Sequence, residues 1–275
     1  MPTTTETTEP IVRMQGVHKT FGLQKVLDGV DLDIERGKTT VVIGPSGCGK
    51  SVLLKHIVGL LRPDKGRVFF DGADITNLSE RQMVPVRRRI GFLFQSNALF
   101  DSMTVAGNIH FPLIEHGVRS QEQLDRRCAD VLRLVGLEGT QDKMPEELSG
   151  GQKKRVALAR AIALNPEVIL YDEPTTGLDP IRADLINELI LKLQAELKTT
   201  AVMVTHDMAS ARKVADRIVM LHNGRLLADT TAEGLDDVKD ETVARFVEGR
   251  ATDEELSQLR SGHFAQGSDH ERENT

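Results

Sequence analysis

The sequence predicts an α/β protein with a buried parallel sheet, a smaller antiparallel sheet near the N-terminus, and a helical segment inserted into the parallel part. Three observations lead there. Four compact apolar runs, Val41-Val42-Ile43, Ile90 to Phe94, Val168 to Tyr171 and Ala201 to Val204, each end in polar residues, as strands buried on both faces do. Period-two patterning between Ile11 and Asp71, as in Val30, Leu32 and Ile34 or Val68-Phe69-Phe70 closed by Asp71-Gly72, marks antiparallel strands. The stretch from Gln95 to Asp172 holds no convincing strand, and Leu124, Cys128, Val131, Leu132 and Val135 recur there at helical spacing.

Taken in order, residues 1–10 are rich in Thr, Glu and Pro with nothing apolar beyond Met1, too little to offset the entropy of ordering, and read as a disordered N-terminus. After Ile43, helical spacing marks Val52, Leu53, Ile57, Leu60 and Leu61. Ser120-x-x-Gln123 reads as a capping box. Asp179-Pro180 supplies the cap and first residue of a helix carrying Leu185, Ile186, Leu189, Ile190 and Leu193. Asn223-Gly224 sits inside Met220 to Leu227 as the turn of a tight hairpin. The expected division is one domain over 11–249, with a core of about 11–95 and 160–235 and a helical subdomain of about 96–159. An acidic tail over 250–275 follows, where Thr252, Glu255, Leu256 and Leu259 suffice for two amphipathic turns.

Composition narrows the function classes. The chain has 275 residues, 39% hydrophobic and 28% charged, which excludes disordered and fibrous classes. No apolar run approaches the roughly 18 residues of a spanning helix, and the first residues lack a signal pattern, so a cytosolic protein is expected. Cys48 and Cys128 are too few for a disulfide framework and read as free thiols, and His110 and His116 do not share a helical face, so no transition metal is expected. The net charge of −6 weighs against nucleic acid as a partner. Arg87-Arg88-Arg89 and Lys153-Lys154-Arg155 are accordingly read as solvated faces.

The chemistry-bearing residues follow the four apolar runs. Ligands in open α/β sheets bind beyond the carboxyl ends of the strands, so the four clusters converge on one expected site. Gly44-Pro45-Ser46-Gly47-Cys48-Gly49-Lys50-Ser51 matches the eight-position phosphate-loop pattern between a strand and a helix. Its glycines let backbone N–H groups turn inward onto a β-phosphate, Lys50 neutralises the β- and γ-phosphates, and the Ser51 hydroxyl suits Mg²⁺. Asp172, the first acid of the pair, then reads as acting on Mg²⁺ from behind its direct ligands, and Glu173 as the group that orients or polarises the attacking water. Leu148-Ser149-Gly150-Gly151-Gln152 forms a capping box whose paired glycines leave a helix start open to a phosphate. One nucleotide already has its helix start at Ser51, so this second anion site suggests docking of another subunit's nucleotide.

These motifs, in this order, resemble the ATP-binding cassette ATPases over about residues 11–235: GPSGCGKS at 44–51, Gln95, LSGGQ at 148–152, the strand into Asp172-Glu173, Gly177-Leu178-Asp179, and His206. The resemblance implies a P-loop NTPase fold with a RecA-like core, an antiparallel β-subdomain and an inserted helical subdomain. It also implies a head-to-tail dimer with two ATP at its interface, each held between one phosphate loop and the partner's signature helix. On that basis Glu173 is the catalytic base, His206 contacts the γ-phosphate, Gln95 senses Mg²⁺ and the lytic water, and Asp179 connects the two sites. Phe21 matches the position where the family stacks an aromatic on adenine, although most members have Tyr there. On its own it reads as a core strand residue. Cys48 is either a thiol activated near a helix start or a small inert side chain.

With one cassette and no spanning segment, a transporter needs separate integral membrane permease subunits. The segment LFQSNALFDSMTV (93–105) with Phe111-Pro112-Leu113 is similar to the ATPases of Mla-type and Mce-type lipid transporters. Residues 203–221 and Phe246 to Gly249 are similar as well. This resemblance implies phospholipid transport, a lipid-binding partner, and a place on the cytoplasmic face of the inner membrane. Uptake of a small polar solute, and a soluble ATPase of an assembly machine such as iron-sulfur cluster biogenesis, are the competing readings.

Overall fold

The structure is a computed structural model and describes residues 9–251 together with Leu256 and Ser257. The expected disordered N-terminus falls outside the described residues except for Glu9 and Pro10, as does the tail beyond Ala251 except for Leu256 and Ser257. Two sheets organise the rest. Strands β1 (Val12–Phe21), β2 (Gln24–Ile34), β4 (Lys65–Phe70) and β5 (Ala73–Asp74) form an antiparallel sheet in the order β2-β1-β4-β5. Strands β3 (Thr39–Ile43), β6 (Ile90–Leu93), β7 (Val168–Asp172), β8 (Thr200–Thr205), β9 (Arg217–His222) and β10 (Arg225–Thr230) form the second, in the order β10-β9-β3-β8-β7-β6. Every pair in it is parallel except β9 with β10, the hairpin turned by Asn223-Gly224.

Side-chain alternation along the parallel strands builds two cores. Val42, Val168, Leu170, Val202 and Val204 point toward α1 (Lys50–Ile57) and the antiparallel sheet. Their neighbours Val41, Ile43, Ile169, Tyr171, Ala201 and Met203 point to the other face. There they meet α3 (Val105–Glu115), α4 (Gln121–Leu134), α5 (Gly150–Ile162), α6 (Pro180–Leu197) and α7 (Met208–Val214). Because all of these strand residues are buried, the runs read as continuously apolar rather than alternating. Each such aliphatic contributes about 1.5–3 kcal/mol by leaving water.

Polar ties fix one sheet against the other. Asp28 N–H donates to Gly224 O at 2.8 Å, and Arg217 donates to Asp33 O at 2.5 Å. Arg89 grips Asp71 at 2.6 Å and Glu167 at 2.6 Å, joining the end of β4 to the start of β7.

Helix α2 (Glu80–Arg88) contains Pro85 and α3 contains Pro112, residues that ordinarily signal a helix end. The structure departs from the sequence expectations in three places. Ser120 does cap α4, accepting from Gln123 N–H at 3.4 Å, without the return bond that would complete a capping box. Helix α5 runs unbroken through residues 159 and 160, where the helical subdomain was expected to end. The two basic runs are also not simply solvated. Arg87 binds Val58 O and Gly59 O, Arg155 binds Val135 O and Gly136 O, and Lys154 is buried. Each caps carbonyls left open at a helix end or loop, which charge runs in sequence do not reveal.

Candidate nucleotide site

The phosphate loop lies between the two sheets. It leaves β3 at Gly44, where an added Cβ would sit 2.2 Å from Leu221 O, so the close approach of β9 admits only glycine. It enters α1 at Gly49, held left-handed at φ 107° against Val26 of β2. Lys50 is 6% exposed and folds back over the loop, donating to Gly44 O at 2.7 Å and Pro45 O at 3.0 Å. Its Nζ lies 3.8 Å from Glu173 Oε1. A buried ammonium held only by two loop carbonyls and a carboxylate is set to exchange them for phosphate oxygens.

At the end of β7, Asp172 accepts from the Ser51 hydroxyl at 2.8 Å. Burial pushes the Asp172 carboxyl above its usual range, against the opposing pull of that hydrogen bond. Glu173 follows with a left-handed φ of 48°, a conformation worth about 1 kcal/mol of strain, pinned by its N–H donating to Val204 O at 3.0 Å. Its Oε2 accepts from Thr176 at 3.2 Å and Thr205 at 3.4 Å, and His206 Nδ1 lies 3.0 Å away. The other oxygen, Oε1, has Lys50 as its neighbour. Oxygen donors dominate, and no group of three or more His, Cys, Asp or Glu able to hold a metal occurs among the described residues. A buried carboxylate beside a hydroxyl, short of a full ligand set, fits Mg²⁺, which takes its remaining ligands from phosphates and water.

The remaining expected residues sit around this centre. Gln95 follows β6 with an exposed side chain, and its carbonyl accepts from buried Lys154 at 2.9 Å. Burial holds the Lys154 ammonium below its usual range, opposed by Asp172 and Glu173. Phe21 is 45% exposed at the tip of β1, with Lys19 Nζ 5.5 Å from its ring centroid, so it is no core residue. Cys48 is half-buried, and burial pushes its thiol above the usual range against the pull of Lys50, which leaves the inert reading. Cys128 is pushed up to about 11 by the same cause.

Ser149 to Gln152 belong to another surface. Ser149 N–H donates to Gln152 Oε1 at 2.9 Å and Ser149 Oγ accepts from Gln152 N–H at 3.3 Å, the complete capping box expected there. These residues border a groove of about 500 Å³ shared with Arg155, Arg182 and Leu185 rather than with the phosphate loop. A Cβ on Gly150 would meet nothing within 4 Å, so the helix start is open. Asp179 caps α6, accepting from Arg182 N–H at 3.0 Å. Thr205 was expected here only as part of the Thr205-His206 cluster that follows the fourth apolar run, without its bond to Glu173, and Thr176 and Lys154 were not expected at the site. Only the basic run pointed at the last of these, and it was read as a solvated face.

Residues 27–176 match the family described as ABC transporter. The chain belongs to the ABC transporter ATPase family. It is 38% identical over 94% of its length to the probable ribonucleotide transport ATP-binding protein mkl of Mycobacterium leprae, covering 78% of that protein. To the intermembrane phospholipid transport system ATP-binding protein MlaF of Haemophilus influenzae it is 41% identical, over 84% of this chain and 87% of that one. To the methionine import ATP-binding protein MetN 2 of Rhodococcus jostii the identity is 42%, over 92% and 76%. Among solved structures, the dimeric ATP-binding cassette MJ0796, in a post-hydrolysis state bound to ADP and Pi, superposes with a TM-score of 0.75 at 36% identity, covering 80% of this chain and 98% of that one. This ABC ATPase therefore hydrolyses ATP to ADP and phosphate, on a P-loop NTPase fold. No helix among its described residues is long and apolar enough to cross a membrane.

Proposed function

We propose that this ATPase powers phospholipid movement between membranes through separate integral permease subunits, with a lipid-binding partner, at the cytoplasmic face of the inner membrane. The observation that carries this reading is the similarity to MlaF over most of both chains, together with the 93–105 segment. Geometry supports it beside Gln95. Phe100, Phe111 and Ile114 are exposed, and the two rings lie 4.8 Å apart, an apolar ledge suited to a short helix from a membrane subunit.

The chemistry proposed for the site follows from its distances. Lys50 and the inward N–H groups of the loop bind the β- and γ-phosphates, and Phe21 stacks on the adenine. Ser51, Asp172 and Gln95 would hold Mg²⁺, which screens phosphate charge when bound. Glu173 is the base: two hydroxyl donors fix Oε2 with the His206 ring beside it, which leaves Oε1 to take the proton of the attacking water. His206, 52% exposed at its side chain, reaches for the γ-phosphate. At the open start of α5 in a second copy, Ser149 and Gln152 hold the turn through their capping box and the N–H groups of Gly150 and Gly151 close the site, and Asp179 links the two sites of the head-to-tail dimer.

Purification of the tagged chain from membranes in mild detergent, with mass spectrometry of partners and lipid analysis, tests the transport reading. A permease recovered with a lipid-binding partner and phospholipid is the expected result. A permease recovered with a soluble solute-binding protein and no lipid would move the function to polar-solute uptake, for which the MetN 2 similarity speaks. Soluble scaffold proteins alone would move it to an assembly machine.

A further inference from the structure

Helix α5 does more than present Ser149 at its start. About two turns of it, from Lys154 to Arg160, hold the loop that follows β6. Lys154 Nζ donates to Gln95 O at 2.9 Å. Arg160, further along the helix, donates to Asn97 O at 2.8 Å and Ala98 O at 2.6 Å. Asn97 and Ala98 are both left-handed, at φ 66° and 48°, so the loop reverses sharply where α5 grips it.

Lys154 is the unusual member of this clamp. It is 3% exposed, and the Gln95 carbonyl is its one hydrogen-bond acceptor within the chain among the described residues, so two of its N–H groups are left for the space around the site. The carboxylates of Asp172 and Glu173 both favour its charge. Packing alone gives no reason for an ammonium here, since methionine of similar length would fill the same space without the cost of desolvating a charge.

We propose that Lys154 is a positioning residue for ATP hydrolysis: it fixes the backbone of Gln95 to the signature helix, so that the Gln95 side chain and the Ser149 face move as one body. A nucleotide docking on Ser149 from a second copy then sets Gln95 in this chain's own site. The proposal rests on the reading of Gln95 as the residue that senses Mg²⁺ and the lytic water.

A double-mutant cycle on the full-length ATPase tests it, with steady-state kcat and KM for ATP measured for Lys154→Met, Gln95→Ala and the pair. Lys154→Met is expected to lower kcat about tenfold with KM within about twofold, and to lower kcat less than twofold further once Gln95 is alanine. Equal losses in both backgrounds would overturn the proposal, because a structural defect adds to the loss of Gln95 instead of vanishing with it. An unchanged kcat in Lys154→Met would overturn it too. Gln95→Ala alone probes the underlying reading: a normal kcat there removes the role of Gln95 and the proposal with it, whereas a slow Gln95→Ala with an additive Lys154→Met removes the proposal only. Lys154→Gln, a polar head in the same space, is measured in parallel, with thermal unfolding for each variant. If neither Lys154 variant folds, Lys154 is a folding residue and the proposal fails.

Discussion

The two helix starts of this cassette are built from similar parts and finished differently. At α1 the loop is surrounded by its own chain: Leu221 and Val26 press on its glycines, Lys50 folds back on the loop carbonyls, and Asp172 holds Ser51. At α5 the same kind of helix start faces outward, with Gly150 in open space and Ser149 and Gln152 satisfying only each other. The first helix start has its partners within the chain. The other has donors and no counterpart within the chain, which is the physical case for a second copy completing it.

The comparison can be broken or sharpened by substitution, and the largest effect is expected at Glu173. Glu173→Gln keeps the size and the hydroxyl partners of the side chain but removes the proton acceptor, so turnover should fall about 100-fold or more while ATP is retained. Phosphate release and nucleotide retention measure the two halves, and size-exclusion chromatography with ATP should then show a trapped dimer. Normal hydrolysis would remove Glu173 from the role of base.

Next comes the buried cation. Lys50→Ala leaves the loop without its only buried charge and should weaken ATP binding by about 100-fold, the worth of a charged hydrogen bond of about 3 kcal/mol. Equilibrium nucleotide titration reads it directly. Gly151→Val is the counterpart at the open helix start. A Cβ there approaches nothing closer than Arg182 Cδ at 4.0 Å, so the fold and ATP binding by the single chain should stay within about twofold of the parent. Hydrolysis should nevertheless fall about tenfold, because the added bulk blocks an approaching phosphate. If hydrolysis survives Gly151→Val, the two helix starts are not halves of one site.

The two regions also differ in how much of them the sequence disclosed. The role expected of His206 came from the family resemblance, whereas Gly44 to Ser51 and Asp172-Glu173 were legible because each adjoins an apolar run, and parallel strands bring such ends to one edge. The hydroxyls of Thr176 and Thr205 that hold Glu173 were not, since a threonine beside a motif carries no signal of where it points. The role of α5 stayed hidden for a tertiary reason: Lys154 and Gln95 are far apart in sequence, and only the packing of α5 beside β6 shows that a lysine in a basic run is buried.

The smallest effect is expected at Cys48, and it bears on how closed the first helix start is. A helix N-terminus and a neighbouring lysine both favour a thiolate, so position alone suggests an activated thiol. Burial outweighs them and raises the thiol pKa. A raised value keeps the thiol protonated at neutral pH, so alkylation by iodoacetamide should be slower than for a free cysteine, and its rate should climb only at a pH above the usual thiol range. Cys48→Ala should leave kcat and KM within about twofold, because the side chain packs beside Gly44 and binds no phosphate in this reading. Rapid alkylation at neutral pH would instead mean that the loop opens often enough to expose Sγ, and the contrast between a closed first site and an open second one would lose its basis.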